Sequence, residues 1–244
     1  MPRFFIEDIP QGRYLLEGEA GLHGAKALRL RPGEEVTLCC GKGQDYLCQV
    51  EENTGSALAL QVLEERPSQG EPQTKVIVCQ CLPKGDKLET VVQKSVELGA
   101  NSIWPVESRY CVAKWDQKAQ AKKRARLEKI AQEAAMQSGR GIVPKVLPPA
   151  RLEEVLRSAA KAEGAKTVFL YEKATKGLKE GLTALPETVF LVVGPEGGFA
   201  PEEAALAREL GAEILSLGPR ILRTETAPLA ALAAIMYERG EMAL

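Results

Sequence analysis

Two short apolar runs near the C-terminus each end in a glycine-proline turn and lead into a predicted helix. The first segment reads LVVGPEGGFAPEE (residues 191–203), and the second reads LSLGPRILRTETAPLAALAAI (residues 215–235). A strand followed by a tight turn and a helix is typical of a parallel α/β sheet, and such sheets bind ligands outside the carboxyl ends of their strands. The two loops therefore predict a pocket for a small ligand.

The spacing of apolar residues divides the chain into two parts. Residues 1 to about 66 alternate in the manner of strands, and the runs VTLCC and YLCQV flank Gly41–Asp45 as in a hairpin. After Gln73 strands alternate with helices, which is typical of a parallel sheet. The segment 66–73 is polar and rich in turn-forming residues, so it is predicted to be a linker. We expect a small β-rich domain over residues 1–68 and an α/β domain over residues 74–244.

Composition is that of a globular protein without a membrane segment. The chain has 244 residues, of which 45% are hydrophobic and 27% charged. The N-terminus lacks the apolar run of a secretory signal, and the longest uncharged apolar stretch, Ala227 to Tyr237, is too short to span a bilayer. We therefore expect a cytoplasmic protein with no membrane partner.

The cysteine pattern predicts neither a metal site nor a disulfide framework. The chain has one histidine and no CxxC spacing. Several cysteines lie within strand-like runs, so we expect reduced core residues rather than bridges or zinc ligands. They are Cys39, Cys40, Cys48, Cys79, Cys81 and Cys111.

Charge is nearly balanced over the whole chain but not along it. The formal net charge is −1, which indicates no polyanionic partner by itself. From Arg109 to Lys129, however, eight residues are basic and only Asp116 and Glu128 are acidic. Such a run is either a solvated helix face or a surface that binds phosphates of a nucleic acid.

The first loop favours a neutral or cationic ligand. Its glycines allow a ligand to approach the main chain closely. The sequence is neither GxGxxG nor GxxxxGK[ST], and Glu196 lies inside the loop with two more acids at the start of the next helix. These carboxylates would repel the phosphates of ATP or of a dinucleotide, whereas a sulfonium such as S-adenosyl-L-methionine fits. A tight strand-to-helix turn would explain the glycines equally well.

The second loop carries more polar groups than a connection needs. Ile221 and Leu222 offer apolar surface for an adenine ring, and the tetrad Arg223–Thr226 precedes Pro228 at the start of a helix. A buried Arg-Glu pair with Thr226 as the helix cap is one interpretation. We favour a binding site, because Arg220 and Arg223 together exceed what capping requires.

Four segments together resemble a known family. LVVGPEGGF and LSLGPRILRTETA, combined with KLETVVQKSVELGANSIWPVESR (residues 87–109) and EAAMQSGR (residues 133–140), are similar to the SPOUT-class 16S ribosomal RNA uridine N3-methyltransferases, the ribosomal small-subunit methyltransferase E family. The resemblance covers the whole chain. It implies an N-terminal PUA-like β-barrel that binds RNA, an α/β domain with a deep trefoil knot, S-adenosyl-L-methionine as cofactor, and a homodimer.

The resemblance also implies roles for individual residues. The cofactor would be bound by two residues at the end of a strand and by the two loops. The predicted cofactor residues are Leu170, Glu172, Gly194, Pro195, Glu196, Gly197, Gly198, Leu217, Gly218, Ile221, Leu222, Thr224 and Thr226. With the family match, basic side chains become candidates for contact with 16S ribosomal RNA or the small subunit. They are Arg3, Arg29, Arg109, Lys122, Lys123, Arg126 and Arg140.

Methylation at N3 of uridine sets the chemical demands of the site. The ring N3 is protonated at neutral pH, so catalysis needs alignment, removal of the proton and stabilisation of charge on the flanking carbonyl oxygens. We assign Arg223 as the stabilising cation, and Glu225 or Glu196 as a carboxylate that orients Arg223 or relays the proton. No metal is required. Two alternatives are a related SPOUT enzyme acting on a ribose hydroxyl or transfer RNA, and an RNA-binding protein without catalysis.

Overall fold

The structure is a computed structural model that describes residues 1–243. It divides into two compact units. The first consists of Met1–Glu71 together with Ala135–Val143, and the second contains the rest of the described chain. Within the described residues, no helix has the length and apolar character needed to cross a membrane.

The first unit is built on a five-stranded sheet in the order β1-β3-β4-β5-β2. Its strands are β1 (Arg3–Phe5), β2 (Arg13–Leu16), β3 (Glu35–Cys39), β4 (Gln44–Asn53) and β5 (Leu58–Pro67). β3 and β4 pair antiparallel around the turn at Gly41–Gly43, which confirms the predicted hairpin. β5 extends through Pro67, so the strand includes the first two residues of the predicted linker. A short helix, α1 (Gly18–Leu22), continues into a π-helical turn at His23–Ala27.

Two predicted RNA-binding arginines lie inside the first unit instead of at its surface. Arg3 Nη1 lies 2.6 Å from Asp45 Oδ1, and the two side chains are only 12% and 5% exposed. Arg140 Nη2 lies 2.8 Å from Glu71 Oε2, and the Arg140 side chain is 4% exposed. A buried charge is tolerated when it is paired, and removing its partner is strongly destabilising. Both guanidiniums hold the unit together, so the structure gives no support to the prediction that Arg3 and Arg140 contact RNA.

The second unit contains a seven-stranded sheet in which every pair is parallel. The spatial order is β12-β10-β11-β6-β7-β8, and β9 also pairs with β7. This confirms the predicted α/β fold with a parallel sheet. The strands are β6 (Lys75–Cys81), β7 (Ser102–Glu107), β8 (Lys145–Val146), β9 (Ala150–Arg151), β10 (Ala165–Leu170), β11 (Thr188–Val193) and β12 (Glu213–Leu215).

Helices follow most of these strands, as the alternating pattern predicts. They are α2 (Lys87–Glu97), α3 (Gln117–Ser138), α4 (Leu152–Lys161), α5 (Leu178–Gly181), α6 (Pro201–Glu209) and α7 (Ala227–Glu238). In α2 the apolar residues recur at helical spacing, so Leu88, Val91, Val92 and Val96 are buried on one face. Gly99 follows with a φ of +93°, a conformation that favours glycine and ends the helix.

The register of the sheet brings several strand ends to the same edge. Leu170 of β10 pairs with Leu215 of β12, and Val193 of β11 pairs with Gln80 of β6. The segments after these four neighbouring strands therefore start close together. Two of them are the glycine-proline loops of the sequence, which we call the first loop (Gly194–Gly198) and the second loop (Leu217–Thr226).

Candidate active site

A cavity of about 540 Å³ lies at the carboxyl ends of β10, β11 and β12, where parallel sheets bind their ligands. Its volume falls within the ordinary range of small-molecule pockets. Both loops line it, together with Leu170 at the end of β10 and Glu172 after that strand. Tyr171 and Arg220 line the cavity within the predicted segments. Four further wall residues lie outside those segments, namely Val193, Phe199, Ser216 and Ala227.

All of the predicted cofactor residues except Thr226 line this cavity, and so do all of the predicted catalytic residues except Glu225. Thr226 lies at the N-cap of α7 and is exposed, and its side chain makes no capping hydrogen bond within the described chain. Glu225 lies beside the cavity without lining it. Arg223 and Glu196, the other two predicted catalytic residues, both face the cavity.

The first loop is tightly constrained by its neighbours. Gly198 has a φ of +67°, and its N–H donates to the carbonyl of Pro195 at 2.9 Å. A Cβ on Gly198 would lie 3.3 Å from both carboxylate oxygens of Glu172, and one on Gly197 would lie 3.1 Å from Cβ of Tyr110. The backbone angle at Gly198 favours glycine, and a side chain at Gly197 or Gly198 would press on a neighbouring side chain, so the main chain forms this wall of the cavity.

Glu196 is held as a carboxylate by groups that follow β6. Lys87 Nζ donates to Glu196 Oε1 at 2.9 Å, and the backbone N–H of Lys84 donates to the same oxygen at 3.1 Å. Partial burial alone would raise the pKa of Glu196, but these hydrogen bonds outweigh it, and the pKa lies below its ordinary value. Glu196 is thus a hydrogen-bond acceptor at neutral pH and a weak proton carrier.

The second loop is anchored at Thr224 and open elsewhere. The Thr224 hydroxyl donates to the carbonyl of Gly194 at 2.7 Å and accepts from Nε2 of Gln80 at 3.0 Å. Thr224 is buried, whereas Arg220 and Arg223 are exposed and Ile221 is 80% exposed. Thr224 therefore fastens the second loop to the first, and the two arginines are left to face a ligand.

Glu225 pairs with Lys87, the first residue of α2. Its Oε2 lies 3.3 Å from Lys87 Nζ. The interpretation of Arg223 and Glu225 as a buried pair is therefore not what the structure has, since Arg223 is exposed and the cation beside Glu225 is Lys87. Glu225 is therefore placed to fix the position of the second loop beside the cavity.

Two acids follow the first loop, and one of them, Glu203, caps α6. Glu203 Oε2 accepts from the N–H of Ala200 at 2.9 Å, and its Oε1 accepts from the N–H of Arg109 at 2.8 Å. Carboxylates at a helix start satisfy free N–H groups and interact well with the helix dipole. The carboxylates of Glu202 and Glu203 therefore stabilise the start of α6, and their presence does not indicate the charge of a ligand.

The remaining predicted RNA-binding residues lie at the surface. Lys122, Lys123 and Arg29 are exposed. Lys123 Nζ lies 5.4 Å from the centre of the Trp115 ring. Two others are exposed but already paired with acids, Arg126 with Glu89 at 2.8 Å and Arg109 with Glu202 at 3.4 Å. Contact of these five residues with RNA stays a prediction.

The residues of the cavity fit S-adenosyl-L-methionine. Glu172 and Glu196 bring two carboxylates to the wall, and Arg220 and Arg223 bring two guanidiniums. The cofactor carries a sulfonium, an amino-acid zwitterion and an adenosine, so it needs groups of both signs and an apolar surface. Ile221, Leu222 and Phe199 supply that surface.

The sequence reasoning missed the residues that join the loops. Gln80, Lys84 and Lys87 lie at or after the end of β6, and each contacts a loop more than 100 residues later in the chain. A signal was present, because Pro83–Asp86 follows a strand and precedes a helix as the two loops do. The turn pattern alone does not show which residues these side chains contact. The pairing of β6 with β11 does, because it brings the end of β6 beside the first loop.

Comparison with known proteins identifies the family of this chain. Residues 70–236 match the model of a family described as RNA methyltransferase domain. The ribosomal RNA small subunit methyltransferase E of Bacillus subtilis is 35% identical over 250 residues, which cover 98% of this chain and 97% of that protein. The chain belongs to the ribosomal RNA small subunit methyltransferase E family.

Two other members of the methyltransferase E family are similar to this chain over almost its whole length. The protein of that name from Mycobacterium bovis is 35% identical over 237 residues, covering 95% of this chain and 90% of the relative. The crystal structure of the methyltransferase E of Neisseria gonorrhoeae, bound to S-adenosyl methionine, superposes with a TM-score of 0.87 at 33% identity. It covers 97% of both chains. A methyltransferase E of closely similar fold therefore binds the cofactor that the cavity of this chain fits.

Proposed function

We propose that this protein transfers a methyl group from S-adenosyl-L-methionine to N3 of a uridine in the 16S ribosomal RNA of the small subunit. The observation that carries the proposal is the cavity itself. Twelve of its wall residues belong to the predicted cofactor set, and they come from three separate segments of a chain similar to a cofactor-bound relative. The choice of N3 and of 16S ribosomal RNA rests on the resemblance of the loop motifs.

The two loops and the end of β10 would hold the cofactor. The main chain of the first loop forms one wall, and Glu172 lies beside it. Ile221 and Leu222 of the second loop offer apolar contact for the adenine ring. When bound, the cofactor supplies an activated methyl group, so the protein itself needs no metal for the transfer.

The residues of this chain would then act on the uridine. Arg223 is exposed at the cavity and would stabilise the negative charge that develops on a carbonyl oxygen next to N3. Glu196, whose pKa is lowered by Lys87 and Lys84, would orient donors as an ionised acceptor. A carboxylate whose pKa lies below its ordinary value is a weak general base at neutral pH, so an orienting role fits Glu196 better than a proton relay. The N3 proton would then leave to solvent water as the bond from N3 to the methyl group forms and the bond from the methyl group to sulfur breaks.

The finer features of the fold belong to the same proposal. We propose a PUA-like β-barrel over residues 1–68 and a SPOUT domain with a deep trefoil knot over residues 74–244. The five-stranded sheet of the first unit and the parallel sheet of the second support this division. We further propose a homodimer that acts in the cytoplasm, with Arg29, Arg109, Lys122, Lys123 and Arg126 as the RNA surface.

One experiment tests the proposed activity. The purified full-length protein is incubated with methyl-labelled S-adenosyl-L-methionine and small subunits that lack the modification, and the labelled nucleotide is mapped. We expect label on N3 of a uridine in 16S ribosomal RNA, and none when fully modified subunits are supplied. Absence of label from RNA, or label on a ribose or on transfer RNA, would contradict the proposal.

A further inference from the structure

Lys87 lies where the two cavity loops come together. It is the first residue of α2, and its Nζ contacts one carboxylate from each loop. The distances are 2.9 Å to Glu196 Oε1 and 3.3 Å to Glu225 Oε2. The side chain itself does not line the cavity. One ammonium group outside the cavity is therefore shared by both of its loops.

The contact of Lys87 with Glu225 stabilises a carboxylate oxygen whose burial would otherwise be unfavourable. Glu225 Oε2 is buried and accepts no hydrogen bond within the described chain, and the ammonium of Lys87 is the cation beside it. A buried carboxylate oxygen is destabilising unless a charge or a donor is near it. The position of Glu225, and with it the start of α7, therefore depends on Lys87.

Hydrogen bonds of Gln80 and Thr224 link the same two loops that Lys87 links. Gln80 donates from Nε2 to the Thr224 hydroxyl at 3.0 Å, and Thr224 donates to the carbonyl of Gly194 at 2.7 Å. Both connections start at β6 or directly after it, and both reach the two loops. The Thr224 connection is buried and neutral, whereas the Lys87 connection is charged and partly exposed. The two together fix the distance between the first and second loops.

We infer that Lys87 is a positioning residue for methyl transfer, which holds the two loops together by binding Glu196 of the first and Glu225 of the second. The inference rests on the proposed function, because it concerns the same site. Without the ammonium, two carboxylates would face each other with no cation between them, and their repulsion would separate the loops. Arg223, two residues before Glu225, would then be displaced from the reacting atoms.

Three variants test this role in the full-length protein. Lys87→Met removes the charge and keeps the length of the side chain, and Lys87→Arg keeps the charge. Lys94→Met is the matched control, because Lys94 lies on the same helix and forms an ion pair with Glu97 at 2.8 Å. The turnover number for methylation of small subunits and the dissociation constant of S-adenosyl-L-methionine are measured for each variant.

We expect Lys87→Met to lower the turnover number about tenfold or more, since small displacements of a catalytic group have effects of this order. Its cofactor dissociation constant should change much less than its turnover number. Lys87→Arg should recover most of the activity, and Lys94→Met should behave as the wild type. Equal turnover in Lys87→Met and Lys94→Met would overturn the inference. So would a Lys87→Arg variant as impaired as Lys87→Met.

Hydrogen exchange of the free protein gives a readout that does not depend on activity. In Lys87→Met the amides of residues 194–198 and 217–226 should exchange faster than in the wild type, and in Lys94→Met they should not. Unchanged exchange in both loops would overturn the inference. A wild-type protein that methylates no RNA would instead refute the proposed function, and faster loop exchange in Lys87→Met would still show that Lys87 holds the loops.

Discussion

The two glycine-proline loops begin alike and are packed differently. In the first loop a Cβ on Gly194, Gly197 or Gly198 would meet another group at 3.1–3.3 Å. In the second loop Gly218 has a φ of +98° and open space around it, and Ile221 is 80% exposed. The first loop is thus a fixed wall, and the second is an open segment fastened at Thr224 and Glu225.

This difference indicates a division of roles between the loops. A wall whose backbone is fixed by its neighbours suits the binding of a cofactor, because binding then orders little of the chain. An exposed segment with two arginines suits contact with a second, larger substrate. We therefore assign cofactor binding mainly to the first loop and stabilisation of the reacting base to Arg223 of the second.

The largest effect is expected from Arg223→Ala. The change removes the cation assigned to the developing charge, and loss of one such group typically slows a reaction about 10²–10³-fold. The rate of a single turnover at saturating S-adenosyl-L-methionine measures the loss. Arg220→Ala is the control, because Arg220 is a neighbouring exposed arginine on the same cavity wall. Equal slowing by both changes would remove the special role of Arg223.

A second prediction concerns the connection between the loops. Thr224→Val keeps the shape of the side chain and leaves the carbonyl of Gly194 without its donor and Nε2 of Gln80 without one acceptor. A buried polar group without its partner costs about 1–3 kcal/mol, so the free energy of unfolding should fall by that amount. Chemical denaturation monitored by circular dichroism measures it.

Thr183→Val is the control for this change. The Thr183 hydroxyl donates to the carbonyl of Glu180 at 3.1 Å in an exposed position, so its loss should change the free energy of unfolding by less than about 0.5 kcal/mol. If Thr183→Val and Thr224→Val were equally destabilising, Thr224 would have no special role as an anchor.

The smallest effect in this set is expected from alanine at the glycines of the two loops. Gly198→Ala and Gly218→Ala share the strain of a positive φ, which costs about 1–2 kcal/mol in each. Only Gly198→Ala adds a methyl group against the carboxylate of Glu172. The melting temperatures should fall by similar amounts, and the shape of the cavity wall should change only in Gly198→Ala. A larger loss of stability in Gly218→Ala would contradict the description of the second loop as open.

Local features of the fold and the site could be predicted from the sequence. The hairpin of β3 and β4, the buried face of α2 and the cavity loops all depend on residues close together in the chain. Turn residues and the spacing of apolar side chains carry this information directly.

Long-range pairing could not be predicted. Arg140 is a candidate for RNA contact because it is a basic residue in the EAAMQSGR segment, yet its partner Glu71 lies 69 residues earlier. Lys87 and Glu196 are 109 residues apart, and only the pairing of β6 with β11 brings them together. Charge alone does not distinguish a buried ion pair from a nucleic-acid contact, since both use the same side chains.

The division of roles between the loops is tested most directly by the affinity for S-adenosyl-L-methionine, measured by titration calorimetry on Gly198→Ala and Arg223→Ala. We predict that Gly198→Ala weakens binding severalfold, because its methyl group enters the wall of the cavity beside Glu172. Arg223→Ala should bind the cofactor nearly as the wild type does. The opposite order, with normal affinity in Gly198→Ala and weak binding in Arg223→Ala, would contradict the assignment of cofactor binding to the first loop.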